Sequence, residues 1–212
     1  MATRASGHSE PELIARILAG ERELYHELIG PYERMAYLTA LGILKNQTDA
    51  EEAAQDGLVN AYRNLARFRG DAKFSTWLVS IVVNEARQKL RRAKRAREES
   101  LDEAFGGEDR EVTPAPLTDW REIPSEALER KELREQLRAA VNELPLPYRE
   151  VFTLRDLEGL NVRETAAALG VNENVVKVRL HRARMKLQKR LAPLLQTRAP
   201  ARKGFWGRMP WS

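Results

Sequence analysis

LPLPYREVFTLRDLEGLNVRETAAALGVNENVVKVRLHRARMKLQKRL, residues 144–191, decides the fold, because two helix starts and one helix stop can be placed in it by chemistry. Asn161 is suited to cap a helix through its side-chain oxygen, and Glu164, three residues on, closes a capping box. That helix should run from Val162 to Leu169. Gly170 supplies the left-handed residue that ends it, and Asn172 is placed to cap a second helix reaching about Arg190. Two helices joined this tightly form a helix-turn-helix.

On the second helix Val176, Leu180, Ala183, Leu187 and Leu191 recur at steps of 4, 3, 4 and 4, which makes one apolar seam facing a core. Roughly opposite lie Asn174, Lys177, Val178, His181 and Arg182, where side chains must sit to enter a major groove and read base edges. The flanking cations Arg179, Arg184, Lys186, Lys189 and Arg190 suit phosphate oxygens, which position a protein without specifying sequence. Charge alone would equally suit a solvated basic helix. The cap, the glycine turn and the seam together favour the DNA-reading arrangement.

The 212 residues suffice for two small domains, and a net charge of +5 points to a polyanionic partner. The distribution of charge says more. Residues 85–97 carry seven Lys or Arg against one Glu, residues 177–190 carry seven with no acid, and residues 98–111 carry seven acids against one Arg. Two basic helices therefore flank an acidic connector. There is no cysteine, hence no disulfide and no thiolate metal site. Neither a secretory signal core nor an apolar run long enough for a bilayer is present, so a cytoplasmic protein without membrane insertion is expected.

From the N-terminus, residues 1–9 are expected to fray, and Pro11 opens a short amphipathic helix closed by Gly20. The segment from Glu21 to Leu44 has a helical period that Gly30-Pro31 should kink or split. Thr48 with Glu51 reads as a capping box for a helix to about Leu65, whose early turns expose Glu51, Glu52, Gln55 and Asp56. The loop Phe68-Arg69-Gly70-Asp71-Ala72-Lys73-Phe74 mixes aromatic rings with cations. Ser75 then caps a long helix through Trp77 and Asn84 into a basic end at Arg97. Such a mixture suits a single-strand platform on which bases stack, although residues such as Phe74 and Trp77 are more often core residues than stacking platforms. Residues 98–123 hold Gly106-Gly107, Pro114, Pro116 and many acids, and read as a flexible linker. Helices are expected at Glu126–Glu143, with Leu128, Leu133, Leu137, Ala140 and Val141 inward, and at Tyr148–Leu157. Residues 194–212 form a basic tail containing Phe205, Trp206 and Trp211. No segment alternates with period two, so the fold is expected to be all-α, with two small helical domains at 10–97 and 124–193.

In this order the stretches DAEEAAQDGLVNAYRNL, FRGDAKFSTWLVSIVVNEARQKLRR and LPLPYREVFTLRDLEGLNVRETAAALG resemble a bacterial RNA polymerase sigma factor of the extracytoplasmic-function type, over about residues 10–193. The resemblance implies that residues 10–97 are region 2, which holds core polymerase and opens the promoter. It implies that Glu51, Glu52, Gln55 and Asp56 dock on the clamp of the largest polymerase subunit. Phe68, Arg69, Gly70, Asp71, Lys73 and Phe74 would capture a base flipped from the minus-ten element, with Asn84, Lys89 and Arg91 contacting its strands. Residues 124–193 would be region 4, reading the minus-thirty-five duplex through Lys177, Val178, His181 and Arg182 and meeting the flap of the second-largest subunit. An anti-sigma factor is a further implied partner.

Two other function classes fit less well. A dimeric duplex-binding regulator would need a dimer interface or sensor domain, which the N-terminal half does not offer. An enzyme would need a constellation, but the three His at 8, 26 and 181 are scattered and no Gly-rich phosphate loop occurs. No catalytic residue, metal or cofactor is expected.

Overall fold

A computed structural model describes residues 8–103 and 126–196, with side chains over 8–96 and 135–192. The glycines and prolines of the acidic connector, the tail aromatics Phe205, Trp206 and Trp211, and the side chains of Leu128 and Leu133 lie outside the described residues. Within them all regular structure is helical. The helices are α1 (Glu10–Leu18), α2 (Tyr25–Ile29), α3 (Glu33–Leu44), α4 (Gln47–Arg63), α5 (Phe74–Glu103), α6 (Glu126–Glu143), α7 (Leu146–Phe152), α8 (Val162–Leu169) and α9 (Glu173–Gln196).

Gly30-Pro31 splits the second segment as expected, with a short 3-10 turn at Gly30–Tyr32 between α2 and α3. The start of α4 differs from expectation. Lys45 takes the left-handed conformation (φ 62°), Asn46 is extended, and it is the Asn46 side chain that accepts from the Asp49 N–H at 3.0 Å. Thr48 thus lies inside the first turn, and Glu51 accepts from the Gln47 amide at 3.1 Å instead of closing a box. Helix α5 also begins two residues early, at Phe74 where a Ser75 cap would start it at Thr76. The Trp77 N–H donates to the Lys73 carbonyl, leaving Ser75 within the first turn and not at the cap. At its far end α5 continues past Arg97 to Glu103, because Glu98 to Glu103 contain no helix breaker.

Helices α3, α4 and α5 form the first bundle, packed on Ala36, Ala40, Ala50, Ala53, Ala61, Leu78, Val79, Val82 and Val83. Small residues let these helices approach closely. A Cβ on Gly57 would stand 2.8 Å from Val82 Cγ2, so the α4–α5 crossing requires glycine there. In the second bundle α7, α8 and α6 all pack on α9. Between α7 and α8 the chain widens into a π-turn, Thr153–Leu157.

The two bundles also pack on each other, α7 against α3 and α8 against α5, so that one continuous apolar core runs through both. Charged groups complete this junction. Arg149, only 5% exposed, donates to the Gly42 carbonyl at 2.5 Å, the Ile43 carbonyl at 3.0 Å and the Leu144 carbonyl at 2.7 Å. The first two are carbonyls in the last turn of α3, which have no partner inside their own helix. Burial pulls the Arg149 pKa below its ordinary value, opposed by the nearby Glu150 carboxylate.

Candidate nucleic-acid interface

Local chemistry builds the helix-turn-helix as its residues specify. The Asn161 side chain accepts from the Glu164 N–H at 2.9 Å, and the Glu164 carboxylate accepts from the Asn161 N–H at 2.8 Å, so both halves of the capping box are made. Gly170 is left-handed (φ 67°). Asn172 accepts from the Val175 N–H at 2.9 Å and starts α9. That helix runs to Gln196, six residues beyond Arg190 and past Pro193, a proline at which one ladder hydrogen bond is missing.

The seam Val176, Leu180, Ala183, Leu187 and Leu191 is buried throughout. Asn174, Lys177, Val178, His181 and Arg182 are all exposed on the other side. Exposure of Val178, a large apolar residue at 50%, is what contact with a thymine methyl group would need. Beside this face Pro145, Pro147 and Tyr148 line an open groove with Asn174, Val178 and Arg182, and Arg182 Nη1 reaches the Tyr148 hydroxyl at 3.5 Å. Tyr148 escaped the sequence reading because it belongs to α7, a different helix.

The flanking cations divide. Lys186 and Lys189 are exposed, and Arg179 is half-buried. Arg184, expected at phosphate, is instead held by Asp156 through two hydrogen bonds of 3.0 and 2.7 Å. Arg190 similarly faces Glu143 at 3.1 Å. Asp156 lies 28 residues before Arg184, and no local spacing reveals that pairing.

In the first bundle the loop residues Arg69, Gly70, Asp71, Ala72 and Lys73 are exposed, with Gly70 left-handed (φ 77°). They rest on an aromatic pedestal. Phe74 is fully buried and packs against Tyr32, Phe68 and Trp77 with ring centroids 5.6 Å apart in each case. Of the two uses open to Phe74, the structure selects the core: a buried ring cannot stack on a base. Phe68 and Trp77 are half-buried, with centroids 5.3 Å apart.

At about 100° per residue, Arg91 falls roughly 20° from Asn84 around α5, whereas Lys89 falls about 140° away. Both Asn84 and Arg91 are exposed. Lys89 points instead to α4, where it pairs with Asp49 at 3.1 Å and with Glu52, and these carboxylates raise its pKa. Lys89 is therefore separated from the two residues with which it was grouped. Arg87, which sequence reasoning missed among seven neighbouring cations, falls about 60° from Asn84 on the same side of the helix. It meets Glu150 of α7 through Nε–Oε1 at 2.7 Å and Nη2–Oε2 at 2.8 Å. Its i+3 spacing from Asn84 was the available signal. Lys73 is likewise paired, with Glu164 Oε1 at 2.8 Å, which together with the Asn161 N–H holds the Glu164 carboxyl below its usual range.

On α4 the residues Glu51, Glu52, Gln55 and Asp56 are exposed, while Ala50, Ala53, Ala54 and Gly57 face the core. No group of three or more His, Cys, Asp or Glu that could hold a metal occurs among the described residues. No described helix is long and apolar enough to cross a membrane.

Comparison with known proteins gives this geometry a family. The family model described as Sigma-70 region 2 matches residues 28–96, and that described as Sigma-70, region 4 matches residues 134–187. The RNA polymerase sigma-H factor of Pseudomonas aeruginosa is 30% identical over 187 residues, covering 88% of this chain and 96% of the relative. The ECF RNA polymerase sigma factor SigM of Mycobacterium tuberculosis is 31% identical over 186 residues, covering 88% and 86%. Among solved structures, the sigma factor RpoE in complex with the anti-sigma factor NepR from Bartonella quintana is 25% identical, with a TM-score of 0.59 over 77% of this chain and 94% of that one. With both regions matched in order and relatives aligned along most of its length, the chain belongs to the sigma-70 family of RNA polymerase sigma factors, of the extracytoplasmic-function type, whose role is promoter-specific initiation of transcription.

Proposed function

We propose that this protein docks on core RNA polymerase through the exposed acids of α4, reads the minus-thirty-five duplex through α9, and melts the minus-ten element with the loop before α5. It catalyses no reaction and acts in the cytoplasm. The observation that carries the reading is α9 itself, where a fully buried seam fixes the rotation of the helix and leaves Asn174, Lys177, Val178, His181 and Arg182 facing outward.

Each part has a physical role. Docking by Glu51, Glu52, Gln55 and Asp56 gives an otherwise basic protein a patch complementary to a cationic protein surface. In α9, Arg182 can donate two parallel hydrogen bonds to the O6 and N7 of a guanine, while Val178 contacts a thymine methyl. Lys186 and Lys189 neutralise phosphates and set the register. Arg69, Asp71 and Lys73, raised on the Phe68–Trp77 pedestal, would receive an unstacked base, and Asn84 and Arg91 would follow the strand along α5. By analogy with the RpoE–NepR complex, an anti-sigma factor is a fitting regulator.

Melting is tested with 2-aminopurine placed in the minus-ten element of a promoter that the holoenzyme transcribes. Fluorescence should rise when holoenzyme binds and should fail to rise when Arg69 and Asp71 are both replaced by alanine. A full rise with that variant would remove the loop from the opening step.

A further inference from the structure

Region 4 covers part of the surface through which region 2 would hold DNA. Glu150 is 3% exposed, and its two oxygens are taken by Arg87, whose third donor, Nη1, reaches the Leu169 carbonyl of α8 at 3.3 Å. Glu164 of α8 sits on Lys73. Arg87 and Lys73 bracket the stretch of α5 that carries Asn84, about 20 Å apart along the helix at 1.5 Å per residue. Two carboxylates of one domain thus stand on two cations of the other, one pair largely buried (Arg87 25% and Glu150 3% exposed) and one at the surface, where the Lys73 side chain is 73% exposed.

The closure is specific without being overwhelmingly tight. A buried ion pair gains little net stability, since its attraction roughly repays its desolvation. Arg149 adds direction, because its fork fits only the end of α3. The arrangement is also incompatible with a promoter read at both elements. Minus-ten and minus-thirty-five are separated by roughly 25 base pairs, about 85 Å of duplex at about 3.4 Å per pair, whereas here α8 packs directly on α5.

We propose that region 4 is an intramolecular mask of region 2: Glu150 and Glu164 act as phosphate mimics on Arg87 and Lys73, so that single-stranded DNA and region 4 compete for the same two cations. Assignment of the α5 face to the minus-ten strand rests on the function proposed above. Competition between carboxylates and phosphates does not, and it can be measured without polymerase or promoter.

A reversible lock tests it in the full chain. The protein has no cysteine, and a Cβ at Gly42 would stand 3.2 Å from Thr153 Cβ, close to the roughly 3.5–4.5 Å span of a disulfide. In the double variant Gly42→Cys, Thr153→Cys, two thiols lose two electrons and two protons to added oxidised glutathione, forming the disulfide and two reduced glutathiones. The probe is a labelled single-stranded DNA of mixed sequence, titrated across salt concentrations. The reduced protein can open and use both cations. The oxidised protein should lose them, so its slope of log K against log salt should be shallower by about 1.4, two contacts at about 0.7 each. Dithiothreitol should restore the slope. As a second arm without any lock, Glu150→Gln with Glu164→Gln should tighten binding of the same DNA several-fold. Equal slopes for the oxidised and reduced forms would overturn the mask, as would failure of the disulfide to form. Inability of the chain to activate core polymerase would instead count against the proposed function.

Discussion

Replacing Gly42 by alanine probes the junction between the two regions through a single methyl group. In the interior of α3 the change favours the helix by about 0.5–1 kcal/mol, because alanine loses less conformational freedom than glycine. Across the junction, however, the new Cβ would stand 2.6 Å from Thr153 Oγ1 and 2.9 Å from Thr153 Cγ2. Overpacking of this kind costs about 1–3 kcal/mol, and since the helix gain is common to the closed and open forms, the closed arrangement should lose about 1–3 kcal/mol, a factor of roughly 5–150 in its population. The first bundle should be unharmed. Thr153→Ala should rescue it, since it removes both clashing atoms and deletes a buried hydroxyl that has no hydrogen-bond partner. The assay is single-molecule energy transfer between dyes on cysteines introduced at Ala66 and Ala167, both exposed and on opposite sides of the junction. Gly42→Ala should enlarge a low-transfer population, and adding Thr153→Ala should return it to the parent value. Unchanged transfer in the single variant, or no rescue in the double, would refute the argument that α3 and the π-turn are in forced proximity.

Three further outcomes are expected. Arg182→Ala should relax preference at one or two positions of the upstream element, a loss of about 1–3 kcal/mol of discrimination, whereas Lys189→Ala should weaken binding about equally on all sequences; transcription of a randomised promoter pool by each holoenzyme separates the two, and a uniform loss for Arg182→Ala would assign it to phosphate. Replacing Glu51, Glu52 and Asp56 by Lys should abolish capture of core polymerase while circular dichroism remains unchanged, and wild-type co-purification would move the dock elsewhere. Burial pushes the Glu158 carboxyl up to about 7, opposed by the nearby Arg34. Between an unfolded value near 4.5 and that folded value the native state binds the extra proton, so this group's contribution is full below about pH 4.5 and is lost as pH rises to about 7. Glu158→Gln should therefore flatten the fall of melting temperature between pH 5 and pH 8, and an unaltered slope would assign that fall to other groups.

Features set by neighbours in the chain were legible, and those set by distant partners were not. The Asn161–Glu164 box, the Gly170 turn and the Asn172 cap each need only residues within a few positions, and all three form as read. Thr48 reads as a cap, yet Asn46, two residues earlier, takes that place, and what decides it is the left-handed Lys45, which sequence does not advertise. Phe74 has the same spacing whether it lines a core or a groove; Tyr32, from another helix, settles the matter. Arg149-Glu150 is a charged pair inside a short helix, and no local spacing marks it for burial. It is buried only because α3 offers two unpaired carbonyls and α5 offers Arg87, from beyond the acidic connector.

The most direct test of the central claim is transcription in vitro from a library of random promoters, using core RNA polymerase with and without the purified protein. The account predicts that the two together enrich a bipartite motif with one upstream and one downstream element, that core alone enriches neither, and that the free protein binds the selected duplex weakly and with steep salt dependence. Absence of initiation, or nanomolar sequence-specific duplex binding by the protein alone at physiological salt, would contradict it.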